Sequence, residues 1–393
     1  MKDAGSPSPS SGLARVATVS FLAARAAPSG GFWVSLAGGV ALARGAQQHG
    51  ARRGFGVSLA AMLETVAIMG PARFGVPLTQ AMSAPWIGRL EARSASPVIE
   101  FLACALVRIL HNMVTTAFFI WVILGGLDAY AGTYDALPFF PGGTTAALTL
   151  TGVTLLVWTA FASTVQVFVY RRGLRSWPEE AGRVAEDLQR RDPSPAQGRF
   201  DPRLVSVVAA AGFVVLLSST SWTLLAAVAG VLVLAWFAAR SDPEVLPTGA
   251  VLAAILAVSA FSFSMFGGLG LDEALRRAAR AALLVLVATW LRAAAGSTGL
   301  RDVSRRVLHR LRRVPSVPEA ASALDDLGAG PSLVPAGRSL IEALDEVPKR
   351  PLPFVDAVLG WVAAEANRPS VAVASSPATA GGAPRPEPAG QAK

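Results

Sequence analysis

The chain has 393 residues, of which 52% are hydrophobic and 16% charged, with a net charge of +9 and a mean hydropathy of +0.47. The basic residues cluster at the ends of apolar runs and in the segments between them, which excludes a nucleic-acid binder and marks a polytopic integral membrane protein. A single cysteine, Cys104, excludes an internal disulfide and a thiolate metal cluster.

Residues 1–14 read as a disordered leader: the first twelve are polar, and the apolar stretch after Arg15 is interrupted by Arg25 and then by Pro28, Ser29, Gly30 and Gly31, so no clean secretory signal emerges. An N-terminal membrane module follows over 15–172. Its first apolar block, 31–43, is short for a span. The next, 56–82, is broken by Gly70, Pro71, Gly75 and Pro77. A re-entrant or discontinuous helix fits this block, and so does an interfacial amphipathic helix. Segments 98–127 and 144–170 are each long enough to span. Asp128, Tyr130 and Asp135 place the loop between them outside, while Arg89, Arg93, Arg171, Arg172 and Arg175 hold the other ends inside.

A charged connector over 173–203 contains an amphipathic piece, 177–189, whose Pro178, Glu179 and Glu180 suit a helix start. Residues 204–239 then run thirty-six positions without an ionisable side chain. As one helix this stretch would reach roughly 54 Å, against a hydrocarbon core of about 30 Å. It therefore divides into two antiparallel spans at Ser218, Ser219, Thr220 and Ser221. Segments 246–266 and 271–295 complete a four-span C-terminal module over 204–299, with both ends inside a bacterial cytoplasmic membrane. In 300–368 the spacing predicts short amphipathic helices over 301–313, 318–327, 332–347 and 354–366, lying along the membrane or against a partner. Residues 369–393, rich in Pro, Ala, Gly and Ser, read as a disordered tail.

Ionisable groups inside apolar segments are costly in lipid and are the best functional pointers here. They are Glu64 in the broken segment and Glu100, Arg108 and His111 in the span from Val98. On a helix, Glu100, Cys104, Arg108, His111 and Thr115 share one face within roughly 80°. On one reading these groups form a polar site between helices for a substrate or a proton. On the other, Arg108 pairs with a carboxylate of another helix, Glu100 sits near the inner interface, and the stripe only holds the bundle together. Arg280 precedes a short apolar core and is expected to snorkel rather than to meet a carboxylate inside the bundle. The histidines His49, His111 and His309 lack metal-ligand spacing, and no glycine cluster carries the Lys and Ser/Thr of a phosphate loop. The chain is thus read as neither an ATPase nor an enzyme, and no cofactor or metal is implied.

Asp201-Pro202-Arg203, an apolar hairpin, two further spans, and Leu300-Arg301-Asp302-Val303 leading into Arg-rich helices form an order of elements that resembles the transmembrane T component of energy-coupling factor transporters. Residues 301–314, followed by Pro315-Ser316-Val317-Pro318-Glu319, look like the first coupling helix of that family. The resemblance covers about 200–366 and implies an all-α membrane subunit that holds a substrate-capturing subunit and docks a pair of ATPases. Carried over residue by residue, docking falls to Arg305, Arg306 and Arg310. The family's Ala-Arg-Gly is absent after Arg301; its nearest counterpart, Ala336-Gly337-Arg338, adds Arg338. Ala43-Arg44-Gly45 stands far upstream. The family's closing span has no equivalent, and the first module has no counterpart; a fused substrate-capturing part for a vitamin or metal ion would account for it. The rival readings are a non-transporting membrane scaffold whose cytoplasmic helices recruit a protein, and a membrane enzyme using Glu64, Glu100 and His111.

Overall fold

A computed structural model describes residues 9–26, 31–73, 77–135, 140, 142–177, 200–239, 245–329, 333, 336–337, 339–340, 342 and 351–366. Those residues are helical wherever they are regular, with no strand among them. The connector piece after Trp177, the tail, Arg338 and most of 332–347 lie outside the described residues.

Among the described residues, four helices are long and apolar enough to cross a membrane. They are α5 (Pro97–Phe118, prolonged by a π-helical turn Phe119–Leu124), α7 (Thr144–Arg175), α10 (Val245–Phe266) and α11 (Leu271–Arg310). The uncharged run is the expected hairpin, α8 (Pro202–Ser218) and α9 (Trp222–Ala239), turning at Ser219–Ser221. At about 1.5 Å per residue its arms are roughly 26 Å long, a little less than the hydrocarbon thickness. Start signals are local. Ser96 caps α5 ahead of Pro97, and Asp201 caps α8 ahead of Pro202, each side chain accepting a backbone N–H. These helices turn large apolar side chains outward: Leu234 is 71% and Phe237 80% exposed, and Val98, Val114, Val157 and Val258 stand out similarly. Apolar surface on that scale is stable against lipid tails and not against water.

A second group of helices does the opposite. α1 (Pro9–Ala26), α3 (Ala51–Met69), α4 (Leu78–Glu91) and α13 (Pro351–Ala366) pack around α2 (Gly31–His49), whose residues from Val34 to Ala43 are all buried, and α12 (Val317–Ala329) joins them on α3 and α1. This inner body embraces the arginine-bearing ends of α5 and α7 and the last turns of α11. The short block 31–43 is therefore the core of a helical body. The broken segment 56–82 is α3 and α4 packed on each other, interrupted after Gly70 by a 3₁₀ turn, Pro71–Arg73.

Two expectations are corrected here. The leader does not extend to residue 14, because α1 begins at Pro9 and buries Leu13, Val16, Ala17 and Phe21 against its neighbours. Arg15, a boundary in the sequence, is neutralised by buried Glu365 of α13 at 2.7 Å. The amphipathic stripes of α12 and α13 do not lie open on a membrane or a partner. Ala320, Leu324, Val358 and Val362 are buried in the chain's own core, and α12 lies along α3. Spacing reveals an apolar stripe and not what covers it.

α11 joins the two groups. Its helix breaks at Gly296, where φ is 70°, and continues as an arginine-rich limb beside α3. Arg301 makes a two-pronged ion pair with buried Glu64, its Nε 2.7 Å from Oε2, and Arg292 donates to the Ile68 carbonyl at 2.7 Å. Arg280 is buried among protein groups beside Arg277 and Glu273, so it does not snorkel outward.

Close helix approach sets a first prediction. A methyl on Gly88 of α4 would collide with the Ala43 carbonyl of α2, whereas Gly360 on exposed α13 surface meets nothing. Gly88→Ala should cost about 1–3 kcal/mol, and Gly360→Ala should be neutral or gain about 0.5–1 kcal/mol; thermal melts in detergent compare them. A second concerns α13, which Asp356 ties to Arg172 at 2.7 Å. The hydrogen bond from Arg172 holds the Asp356 carboxyl below its ordinary value of 3.8. Its contribution is thus fully present above 3.8 and lost as pH falls through the lower folded value. Asp356→Asn should speed hydrogen exchange of α13 at neutral pH and leave it unchanged in strong acid.

Candidate functional site: a polar seam with an aromatic cavity

The stripe on α5 faces α7, which carries its own polar row, Tyr170, Gln166, Ser163 and Thr159, at intervals of three and four residues. The facing rows make a seam along the two spanning helices. At its centre, Arg108, 4% exposed, donates from Nη2 to Gln166 Oε1 at 2.8 Å, and the Cys104 thiol donates to the same oxygen at 3.0 Å. The other end of that amide donates to Ser83 Oγ at 2.6 Å. From there the chain of hydrogen bonds runs through α4: Ser83 to the Thr79 carbonyl, Thr79 Oγ1 to Gln80 Oε1, and Gln80 Nε2 to Ser35 Oγ on α2. Four helices are held in register by one network. Further along, Asn112 donates to Thr159 Oγ1 at 3.3 Å.

At the arginine-rich end the seam closes on a charge cluster. Arg171 sits 3.3 Å from Glu100 Oε2 and 3.4 Å from Glu91 Oε2, and Arg175 donates to Glu91 at 2.7 Å. Burial alone would raise Glu91, but the Arg175 hydrogen bond and the charge of Arg171 hold its carboxyl below the usual range.

At the opposite end the seam opens into a cavity of about 570 Å³, between α5, its π turn, α6 (Leu127–Asp135), α7 and α10. The lining is aromatic and hydroxylic: Phe119, Phe263 and Phe266, with Thr115, Thr116, Thr133 and Thr151, and the phenols of Tyr130 and Tyr134. The two tyrosines bond to each other at 2.9 Å, and both reach Thr151. Burial pushes the Tyr130 phenol up to about 12, so it remains an uncharged donor at any physiological pH. Phe119 and Phe263 meet edge to face with centroids 5.6 Å apart, which joins the two halves of the chain at the cavity wall. A pocket of this size, with rings for contact and hydroxyls for orientation, suits a small uncharged molecule.

The four residues singled out from sequence do not form one site. Glu64 belongs to the α3–α11 junction and Glu100 to the charge cluster, and Arg108 is at the centre of the seam. α4 stands between α3 and α5. His111 is half buried, and its neighbour Asn112 makes the cross-helix bond. The carboxylate partner expected for Arg108 is replaced by an amide, Gln166. Glu100 sits at the arginine-rich end, beside Arg171. Of the arginines expected to dock a partner, Arg305 is paired with Asp325 of α12 at 2.6 Å, whereas Arg306 and Arg310 are exposed. Sequence reasoning missed Gln166, Gln80, Ser83 and the cavity tyrosines. The signals were present: a polar row on α7 spaced like the one on α5, and two of the chain's three tyrosines four residues apart. No family profile, curated protein or solved structure matches the chain.

Gln166→Leu leaves a buried guanidinium, a thiol and a hydroxyl without their partner and should cost about 3 kcal/mol, whereas Arg108→Leu combined with Gln166→Leu should recover most of that loss. Unfolding of the three variants in mixed micelles checks this. A double variant no more stable than the single one would mean that the guanidinium does not depend on the amide.

Proposed function

We propose that this chain is the membrane subunit of an importer of the energy-coupling factor type, moving a small organic micronutrient across a bacterial cytoplasmic membrane. By the positive-inside rule the arginine-rich ends of the spans are cytoplasmic and the aromatic cavity opens outward. The observation that carries the reading is the course of α11. One end meets the cavity region, where its Arg277 lies on Gly125 of the turn after the π segment; the other, beyond the Gly296 break, presents Arg306 and Arg310 on the cytoplasmic side. A single element thus reaches from the binding region to a basic surface suited to an ATPase pair. Tilting of the limb at Gly296 would be felt at the cavity through α10, which packs along α11. The lining favours a vitamin-like molecule over a metal ion, since rings and hydroxyls offer poor ligands for a transition metal.

The non-transporting scaffold needs a free docking surface and no cavity. Among the described residues, burial of the apolar stripes of α12 and α13 leaves the limb around Arg306 and Arg310 as its docking surface. Affinity isolation in mild detergent, with identification of bound proteins and small molecules, separates the readings. An ATPase pair together with a neutral aromatic compound supports import, and Arg306→Glu with Arg310→Glu should abolish ATPase recovery without lowering the folded yield. Repeated isolation with a protein that is not an ATPase would point to the scaffold.

A further inference from the structure

A second cavity, of about 850 Å³, lies at the cytoplasmic end of the seam, between the exposed faces of α5 and α7. Its walls are Val98, Phe101, Thr164 and Phe168, and it ends at Arg172 and Arg175. Val98 is 64% and Phe168 52% exposed, so the groove opens sideways into the region of lipid tails. From Thr164 to Arg175 the helix advances about 16 Å, close to the depth of one hydrocarbon leaflet, about half of 30 Å. An apolar trough of one leaflet's depth with guanidinium groups at its headgroup end matches the form of a phospholipid: an acyl chain below and a phosphate above.

At the mouth Arg171, Arg172 and Arg175 meet three carboxylates, Glu91, Glu100 and Asp356, so an incoming anion depends on the donors these pairs leave open. Arg175, its side chain 62% exposed, gives Glu91 its Nε–H, and its Nη groups make no hydrogen bond among the described residues. That leaves a planar pair of donors at headgroup level, the geometry that recognises phosphate. We propose that this groove is a binding site for one anionic phospholipid of the inner leaflet, with the chain along Phe101 and Phe168 and the phosphate at Arg175 and Arg172. The occupied groove would brace the α5–α7 seam from its lipid side.

The test is native mass spectrometry of the full chain, stripped of lipid in detergent and titrated with phosphatidylglycerol or with phosphatidylcholine. One phosphatidylglycerol should bind at least about tenfold more tightly than phosphatidylcholine. Arg172→Gln with Arg175→Gln should erase that preference. Thr164→Trp, a substitution at an exposed position that fills the trough and leaves every charge in place, should weaken both lipids and keeps the test open if the arginine variant fails to fold. Equal affinity for the two lipids, or phosphatidylglycerol binding that survives Thr164→Trp, overturns the proposal. So does full competition by inorganic phosphate, since it would reduce the site to a headgroup contact without a chain.

Discussion

A guanidinium halfway along a spanning helix has nowhere to go but into protein, and in this molecule the answer to Arg108 organises much of the rest. Lipid offers no acceptor, so a partner must come from a neighbouring helix, and an amide is the cheapest group that can serve a cation without adding a second charge. Gln166 does this with its oxygen while its nitrogen continues the network into α4 and, through Gln80, α2. The consequence is positional. Two spanning helices cannot slide or rotate against each other or against the inner body without breaking several buried hydrogen bonds at once, so the seam fixes both the charge cluster at one end and the aromatic cavity at the other.

The same constraint explains the division into two groups of helices. Helices that turn leucine, valine and phenylalanine outward need lipid around them; helices that bury nearly every apolar side chain need each other. α2 shows the contrast: its composition resembles a span, yet it is enclosed by α1, α3, α4 and α13. α11 belongs to both groups, and its change of role coincides with the break at Gly296.

Much of this was legible in the residues, and the failures share a cause. Spans, the serine-rich turn in 204–239 and the break after Gly70 are encoded within a few residues of where they act, through hydrophobic length, glycine, proline and small polar side chains. The polar face of α5 was likewise visible from periodicity alone. What covered each face was not. Whether α12 lies on a membrane, a partner or α3, and whether Arg108 meets a carboxylate or an amide, depends on which distant segments come together. Arg15 is the plainest case: locally it ends an apolar stretch, and only Glu365, near the other end of the described chain, makes it a core residue.

That pairing of α1 with α13 bears on how the protein is made. α1 is synthesised long before α13, since every membrane-spanning helix lies between Arg15 and Glu365 in the chain, so the inner body cannot close as α1 emerges. Until then the faces of α1 and α2 that α13 covers stay open while the later spans are made. Assembly is accordingly staged, with the spans threaded before the clasp between α1 and α13 can form across them.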